Sequence, residues 1–214
     1  MIYKTLLMSM RATEASNYKE TRNSIAYEYI EFFEKLGYLI ITIPNNTKYV
    51  KKYFDLKVDL LVLSGGNNIN PNLYKNNSAL DGVYNERDNM EKNLISLAID
   101  NEIPVLGICR GFHILNIYFK GKLSHNIKNH VNKNHILKSN SDILNDKEAN
   151  SFHNQAIYVD DLSKELELLA TTEDSIVEAC INYEKKILGL QWHPERQDKK
   201  YDLELINKFL EEKK

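Results

Sequence analysis

The sequence predicts an α/β fold: a doubly wound, mostly parallel sheet with flanking helices and a β-rich C-terminal extension, in one domain spanning 1–214. Three observations predict it. Short apolar runs alternate with segments of helical spacing through residue 119, the pattern of successive βαβ units. The last third changes to closely spaced β-rich runs joined by tight polar connections. No Pro-, Gly- or Ser-rich linker separates the two parts, and 214 residues suit one large core.

The elements follow in order. "YKTLLMS" (3–9) is a buried strand. Residues 22–36 place Ile25, Tyr29, Phe32, Phe33 and Leu36 at helical spacing, and Gly37 stops that helix. "YLIITIP" (38–44) is a second strand closed by proline, and "TKYVKKYF" (47–54) a short helix. "VDLLVLSGG" (58–66) is a third strand ending on a glycine pair. A polar stretch, 67–85, precedes a helix over 86–100, a fourth strand at "IPVLGI" (103–108) and a helix over 110–119. "QAIYVD", "LELLATT", "SIVEACI" and "KILGLQW" are the later β-runs, and "DLELINKFLEE" (202–212) is a closing amphipathic helix.

Parallel sheets bind ligands beyond the carboxyl ends of their strands. Four such ends are expected around one crevice: Ser9 to Arg11, Pro44 to Asn46, Ser64 to Gly66, and Cys109.

Composition narrows the function. Apolar residues make up 43% and charged residues 27%, as in a folded soluble protein. Lys+Arg number 28 against Asp+Glu 30, so no basic excess points to nucleic acid. Two cysteines outside any Cys-x-x-Cys pair point to a reducing cytoplasm. No apolar run reaches the roughly eighteen residues of a membrane span, and "MIYKTLLMSM" lacks the apolar core of a signal peptide.

The order strand, Gly107-Ile108-Cys109-Arg110-Gly111, helix is a Gly-x-nucleophile-x-Gly elbow. Its glycines permit a tight turn that lifts the thiol into the crevice, beside a helix N-terminus that favours thiolate. The alternative is a small apolar cysteine packed at a strand end. A thiol nucleophile needs a base, and the base an orienting group. "QWHPE" (191–195) supplies both: in an extended segment His193 and Glu195 project to one side, and Pro194 between them disfavours a helix. The backbone N–H of Arg110 faces a developing oxyanion in this reading.

"GICRG", the upstream "LSGG" and the late "QWHPE" together resemble the class I glutamine amidotransferase-like family. Within it the chain is similar to the free-standing γ-glutamyl hydrolases, such as those that cleave γ-glutamyl-γ-aminobutyrate. That branch has stretches similar to "GGNNINPNLY" (65–74), "ERD…E" (86–91) and "NSFHNQAI" (150–157). The resemblance implies Cys109 as nucleophile, His193 as base, Glu195 as its partner, and the Gly66 and Arg110 amides as oxyanion hole. Two positions depart from the family. His113 stands where the family usually has Gln ("CRGxQ"), and Asn154 where relatives often have a second His. His113 either donates a hydrogen bond in place of that Gln or packs in its helix.

Candidate substrate contacts are Arg11, Gly65, Arg87, His113, His153 and Gln155. A guanidinium at Arg11 suits a carboxylate or a phosphate. Arg87 either binds substrate or pairs with Asp88 or Glu91, and His153 either touches substrate or holds a loop. His125, His130 and His135 recur at five-residue intervals, a spacing that repeats on no helix face, so they are expected as surface residues and no metal site is assigned. Cys180 is expected as a core thiol, and Trp192 as packing beneath the site.

The expected reaction is hydrolysis of a γ-glutamyl amide through a thioester, without metal or organic cofactor. "MRATEASNYKETRNSIAYEYIEFFEKLGY" resembles the branch that acts in surface-polysaccharide pathways, which implies γ-glutamyl-CDP-amidate and capsule phosphoramidate synthesis. Other γ-glutamyl amines, a glutaminase subunit serving a separate synthetase, and a non-catalytic binding module are the competing readings.

Overall fold

A computed structural model describes residues 3–76 and 78–211 of the chain. Residues 1–2, Asn77 in the polar stretch and residues 212–214, including the last residue of the expected closing helix, lie outside the described residues. The first half contains β1 (Lys4–Ser9), β2 (Arg11–Glu14), β3 (Thr21–Ser24), α1 (Tyr27–Lys35), β4 (Tyr38–Ile43), α2 (Val50–Tyr53) and β5 (Leu60–Leu63). A 3₁₀ turn (Pro71–Tyr74), α3 (Asn85–Asp100), β6 (Val105–Ile108) and α4 (Arg110–Tyr118) follow. Next come β7 (Ser124–His125), β8 (Val131–Ile136), β9 (Lys138–Ser139), β10 (Glu148–Phe152) and β11 (Gln155–Ala156). The chain closes with β12 (Glu167–Thr171), β13 (Val177–Asn182), β14 (Ile187–Leu190) and α5 (Lys200–Glu211).

One eight-stranded sheet organises the molecule, in the order β4-β1-β5-β6-β14-β13-β12-β9. β4, β1, β5, β6 and β14 run parallel, and β13, β12 and β9 add antiparallel partners. The β-rich part therefore does not sit beside the parallel sheet; β14 pairs directly with β6, Leu190 opposite Ile108. Both faces are covered, which is why β5 and β6 read as unbroken apolar runs. Leu6, Met8, Val62 and Ile108 face a core closed by α1 and α5 (Phe33, Ile206). Leu7, Leu61, Leu63 and Val105 face the opposite one, closed by α3 and α4 (Leu94, Phe112).

Three local expectations are corrected. Residues 22–24 belong to β3, paired antiparallel with β2, and the helix begins only at Tyr27. Asn23 explains part of this: its Oδ1 accepts from the Asn45 N–H (2.9 Å), which ties the hairpin to the end of β4. "QAIYVD" pairs with β7 at Gln155–Ala156, bridges Ile176 at Tyr158 and then turns as 3₁₀ at Val159–Asp161. An antiparallel arm, β8 with β10, rises where the polar sequence gave no strand signal.

The elbow glycines are demanded by packing. A Cβ at Gly107 would lie 2.6 Å from the Gly111 carbonyl oxygen, and one at Gly111 would collide with the carbonyl oxygen of Leu63. Helix α4 can thus cross β5 at backbone contact only without those side chains. Gly111→Ala is expected to cost about 1–3 kcal/mol, the usual penalty of overpacking, read as a lowered midpoint in chemical denaturation.

Candidate active site

Cys109 sits between β6 and α4 with φ 53° and ψ −106°, a conformation a non-glycine residue adopts only under constraint. The constraint is visible. The Cys109 N–H donates to the Leu190 carbonyl (2.7 Å), holding the elbow against β14, while its own carbonyl accepts from His113 N–H (3.1 Å). Arg110 is the first residue of α4, so its N–H has no acceptor within the helix.

His193 follows β14, on the neighbouring strand end. Its Nδ1 lies 2.6 Å from Glu195 Oε1. Proximity is reached differently from the sequence expectation: Pro194–Arg196 is a 3₁₀ turn with His193 as its N-cap, not an extended segment. Proline opens that turn without loss, because the first residue of a helical turn needs no N–H acceptor. Asn150 clamps the His193 backbone, accepting from its N–H (2.9 Å) and donating Nδ2 to its carbonyl (2.8 Å). Beneath it, Trp192 is fully buried and donates Nε1 to Asp202 Oδ1 (2.7 Å).

Cys109 and His193 flank Gly65. A Cβ placed there would lie 3.0 Å from His193 Cε1 and 3.6 Å from Cys109 Cβ. Burial alone disfavours charge on both residues, but their mutual attraction prevails. The Cys109 thiol is held below its ordinary value, and His193, which also gains from the Glu195 carboxylate, is raised to about 9. Each charge therefore favours the other, thiolate on Cys109 and imidazolium on His193. Cys180, in contrast, is pushed up by burial and has no such partner charge.

Ser64–Gly66 forms the opposite wall. Arg87 donates to the carbonyls of Ser64 (2.7 Å), Gly65 (3.1 Å) and Gly66 (2.6 Å), and to Asn67 Oδ1 (2.8 Å). Its Nε donates to Glu91 Oε1 (3.0 Å), which also accepts from Ser9 Oγ (2.8 Å). The Arg110 side chain completes the network with Asp88 and Glu91. Arg87 is thus fully buried and its donors face the loop from behind, so of its two expected roles the structure shows the pairing with Glu91. The Gly65 N–H is engaged as well, donating to Tyr29 Oη (2.9 Å).

The cleft between these walls measures about 360 Å³ and is lined in part by Arg11, Cys109, His113, His153, Gln155 and Arg196. Arg11 lies over Gly66, where a Cβ would sit 3.1 Å from Arg11 Cδ and where the φ of +80° itself disfavours a side chain. Among the described residues, no hydrogen bond or ion pair is made by the Arg11 guanidinium. His113 is buried, pushed down to about 3 by burial and hence neutral, with Nε2 2.7 Å from Gln191 Oε1. His153 is buried, its Nδ1 2.9 Å from the Gln155 carbonyl.

Of the four expected strand ends, the Pro44–Asn46 end stays out of this cleft: Asn45 Nδ2 donates to the Met10 carbonyl (3.0 Å) behind it. The polar stretch 67–85 is anchored at several points, with the Asn67 side chain bridging the Ala12 N–H and carbonyl (both 2.9 Å). The surface placement of the three histidines is also corrected. His130 is buried, and His125 and His135 are partly buried. Sequence reasoning missed Tyr29, Asn150 and Arg196. Tyr29 counts as one apolar position among five, whereas Asn150 opens the quoted "NSFHNQAI" and Arg196 adjoins "QWHPE".

Glu195→Gln removes the carboxylate that helps hold His193 charged. Activity should fall on the order of 10²- to 10⁴-fold in kcat. An enzyme needing imidazolium loses activity as pH rises through the His193 value of about 9. Without the Glu195 charge that alkaline limb should move to lower pH, as a pH–rate profile of both proteins would show.

The sequence profile of the Peptidase C26 family matches residues 5–195. A glutamine amidotransferase-like protein, YvdE, of Lactococcus lactis is 35% identical over 197 residues, covering 81% of this chain and 82% of the relative. The γ-glutamyl-CDP-amidate hydrolase of Campylobacter jejuni is 28% identical over 194 residues, covering 90% of each. The crystal structure of a glutamine amidotransferase from Thermotoga maritima superposes with a TM-score of 0.61 at 20% identity, over 97% of this chain and 86% of that one.

Proposed function

The chain belongs to the Peptidase C26 family, and on that premise we propose that it hydrolyses γ-glutamyl amides through a Cys109–His193–Glu195 triad. The observation that carries the reading is the constrained Cys109 elbow, with His193 across Gly65 and Glu195 2.6 Å behind it. The Cys109 thiolate attacks the γ-carbonyl carbon, and the oxyanion is received by the Gly66 and Arg110 N–H groups. His193 gives its proton to the leaving nitrogen as the C–N bond breaks, leaving a γ-glutamyl thioester. Neutral His193 then takes a proton from water, the hydroxide attacks the thioester, and glutamate leaves as the thiolate is restored. Arg87 acts from behind by fixing the Ser64–Gly66 carbonyls, so that the Gly66 amide can face the cleft.

The favoured substrate is γ-glutamyl-CDP-amidate, in the cytoplasmic synthesis of a capsule phosphoramidate. Its support is the Campylobacter relative that spans 90% of both chains, together with two guanidinium groups, Arg11 and Arg196, at the cleft. Arg11, whose guanidinium has no partner among the described residues, suits a diphosphate or the glutamyl α-carboxylate. Glutamate release from glutamine, γ-glutamyl-γ-aminobutyrate, a γ-glutamyl peptide and γ-glutamyl-CDP-amidate tests the reading. Fast turnover of the CDP-amidate alone supports it. Preference for another γ-glutamyl amine transfers the substrate, and turnover of none removes the hydrolase assignment in favour of a partner-activated glutaminase.

A further inference from the structure

The two ends of the β8–β10 arm bring histidines to a buried carboxylate that the proposed mechanism does not use. His130 immediately precedes β8 and His153 immediately follows β10, and the His153 N–H donates to the His130 carbonyl (3.0 Å). Glu178 projects from β13 of the main sheet. Ligand-capable atoms of the three side chains all lie within 4.8 Å of one another, with His153 Nε2 3.8 Å from Glu178 Oε1. Their exposures are 1%, 4% and 0% for His130, His153 and Glu178.

Among the described residues, four of the buried side-chain atoms without a hydrogen-bond partner belong to this cluster. Neither Glu178 oxygen has a hydrogen-bond partner, and neither do His130 Nδ1 and His153 Nε2. A buried carboxylate left in that condition is costly. The other ring nitrogens, in contrast, are held from outside: His153 Nδ1 by the Gln155 carbonyl (2.9 Å) and His130 Nε2 by Asp174 Oδ2 (3.0 Å). An imidazole that donates one N–H to an oxygen turns the lone pair of its second nitrogen inward. This is how outer-shell groups orient histidine ligands of a metal.

We propose that His130 Nδ1, His153 Nε2 and a Glu178 oxygen form a site for one divalent transition ion of the zinc type. Two imidazoles and a carboxylate suit zinc, whereas magnesium and calcium prefer oxygen ligands. Zinc–ligand bonds of about 2.0–2.2 Å place tetrahedral ligand atoms roughly 3.4 Å apart, so the His153–Glu178 separation needs only slight closure. Water or the neighbouring His135, whose ring lies 4.1 Å from that of His130 and whose Nε2 is unpartnered, completes the coordination. The ion would pin the arm, whose Phe152 lines the cleft, to the central sheet. It would also withdraw His153 Nε2 from any substrate contact.

The test is zinc titration of the chelator-stripped full chain, by calorimetry and by metal analysis after equilibrium dialysis. One zinc per chain and a raised Tm are expected. His130→Ala and Glu178→Gln should abolish stoichiometric uptake, and Cys109→Ala should keep it. Asp174→Ala removes the exposed outer-shell carboxylate on His130 Nε2, with its hydrogen bond from Thr172 Oγ1, and should weaken binding about 10- to 100-fold. Far-UV circular dichroism checks that each variant folds, and Asp174→Ala carries the test if a core variant does not. No uptake by the folded wild-type chain overturns the site. Uptake lost in Cys109→Ala but kept in His130→Ala also overturns it, by placing the ion on the thiolate.

Discussion

Cys109→Ala is expected to fold normally and to lose glutamate release on the order of 10⁴-fold or more, since removal of a nucleophile eliminates the covalent route. The stability cost should be small. The side chain is short, and the backbone that holds its positive φ is fixed by the Leu190 carbonyl and by Gly107 and Gly111. The same variant carries an internal check. His193 stands near 9 chiefly because the Cys109 charge, the largest of its attractions and joined by Glu195, outweighs burial. With alanine at 109 the His193 value should fall, as NMR titration of the ring would show. Turnover within tenfold of wild type would remove Cys109 as nucleophile.

Glu91→Ala should give the largest loss of stability. Glu91 is fully buried and receives both Arg87 and Arg110, with Ser9 Oγ as a third donor. Burial opposes its charge, yet the two guanidinium groups hold it below the ordinary carboxylate range. Deleting it strands buried positive charge, which costs about 3–5 kcal/mol. For a chain of this size the Tm should drop by roughly 10 °C. Lys52→Ala is the matched control, because its ion pair with Asp55 is exposed and should leave Tm unchanged. A Glu91→Ala Tm equal to wild type would show that the network does not stabilise the fold. Activity should fall as well, since Arg87 holds the Ser64–Gly66 carbonyls and is itself held by Glu91.

The parallel half was legible because strands covered on both faces show as apolar runs, and β1, β4, β5 and β6 all do. The elbow was legible from glycine spacing alone, and its structural reason is the backbone contact between α4 and β5. What stayed hidden depended on pairing between distant segments. Nothing local says that β14 inserts next to β6, or that Val131–Ile136 joins Glu148–Phe152, whose residues are mostly polar. The sequence leaves Arg87 to bind substrate or to pair with Asp88 or Glu91, and nothing local says that compensating charges from α3 and α4 let that helix face be buried. The histidine spacing misled for a related reason. His130 meets His153 from the opposite strand of an arm, so its five-residue interval to His135 has no bearing on that meeting.

Rapid acid quench during turnover, followed by peptide mapping, tests the central claim most directly. A glutamyl group in thioester linkage should be found on the peptide carrying Cys109, and alkylation of Cys109 should stop turnover. Turnover that persists after complete alkylation of Cys109, or a glutamyl label on another residue, would contradict it.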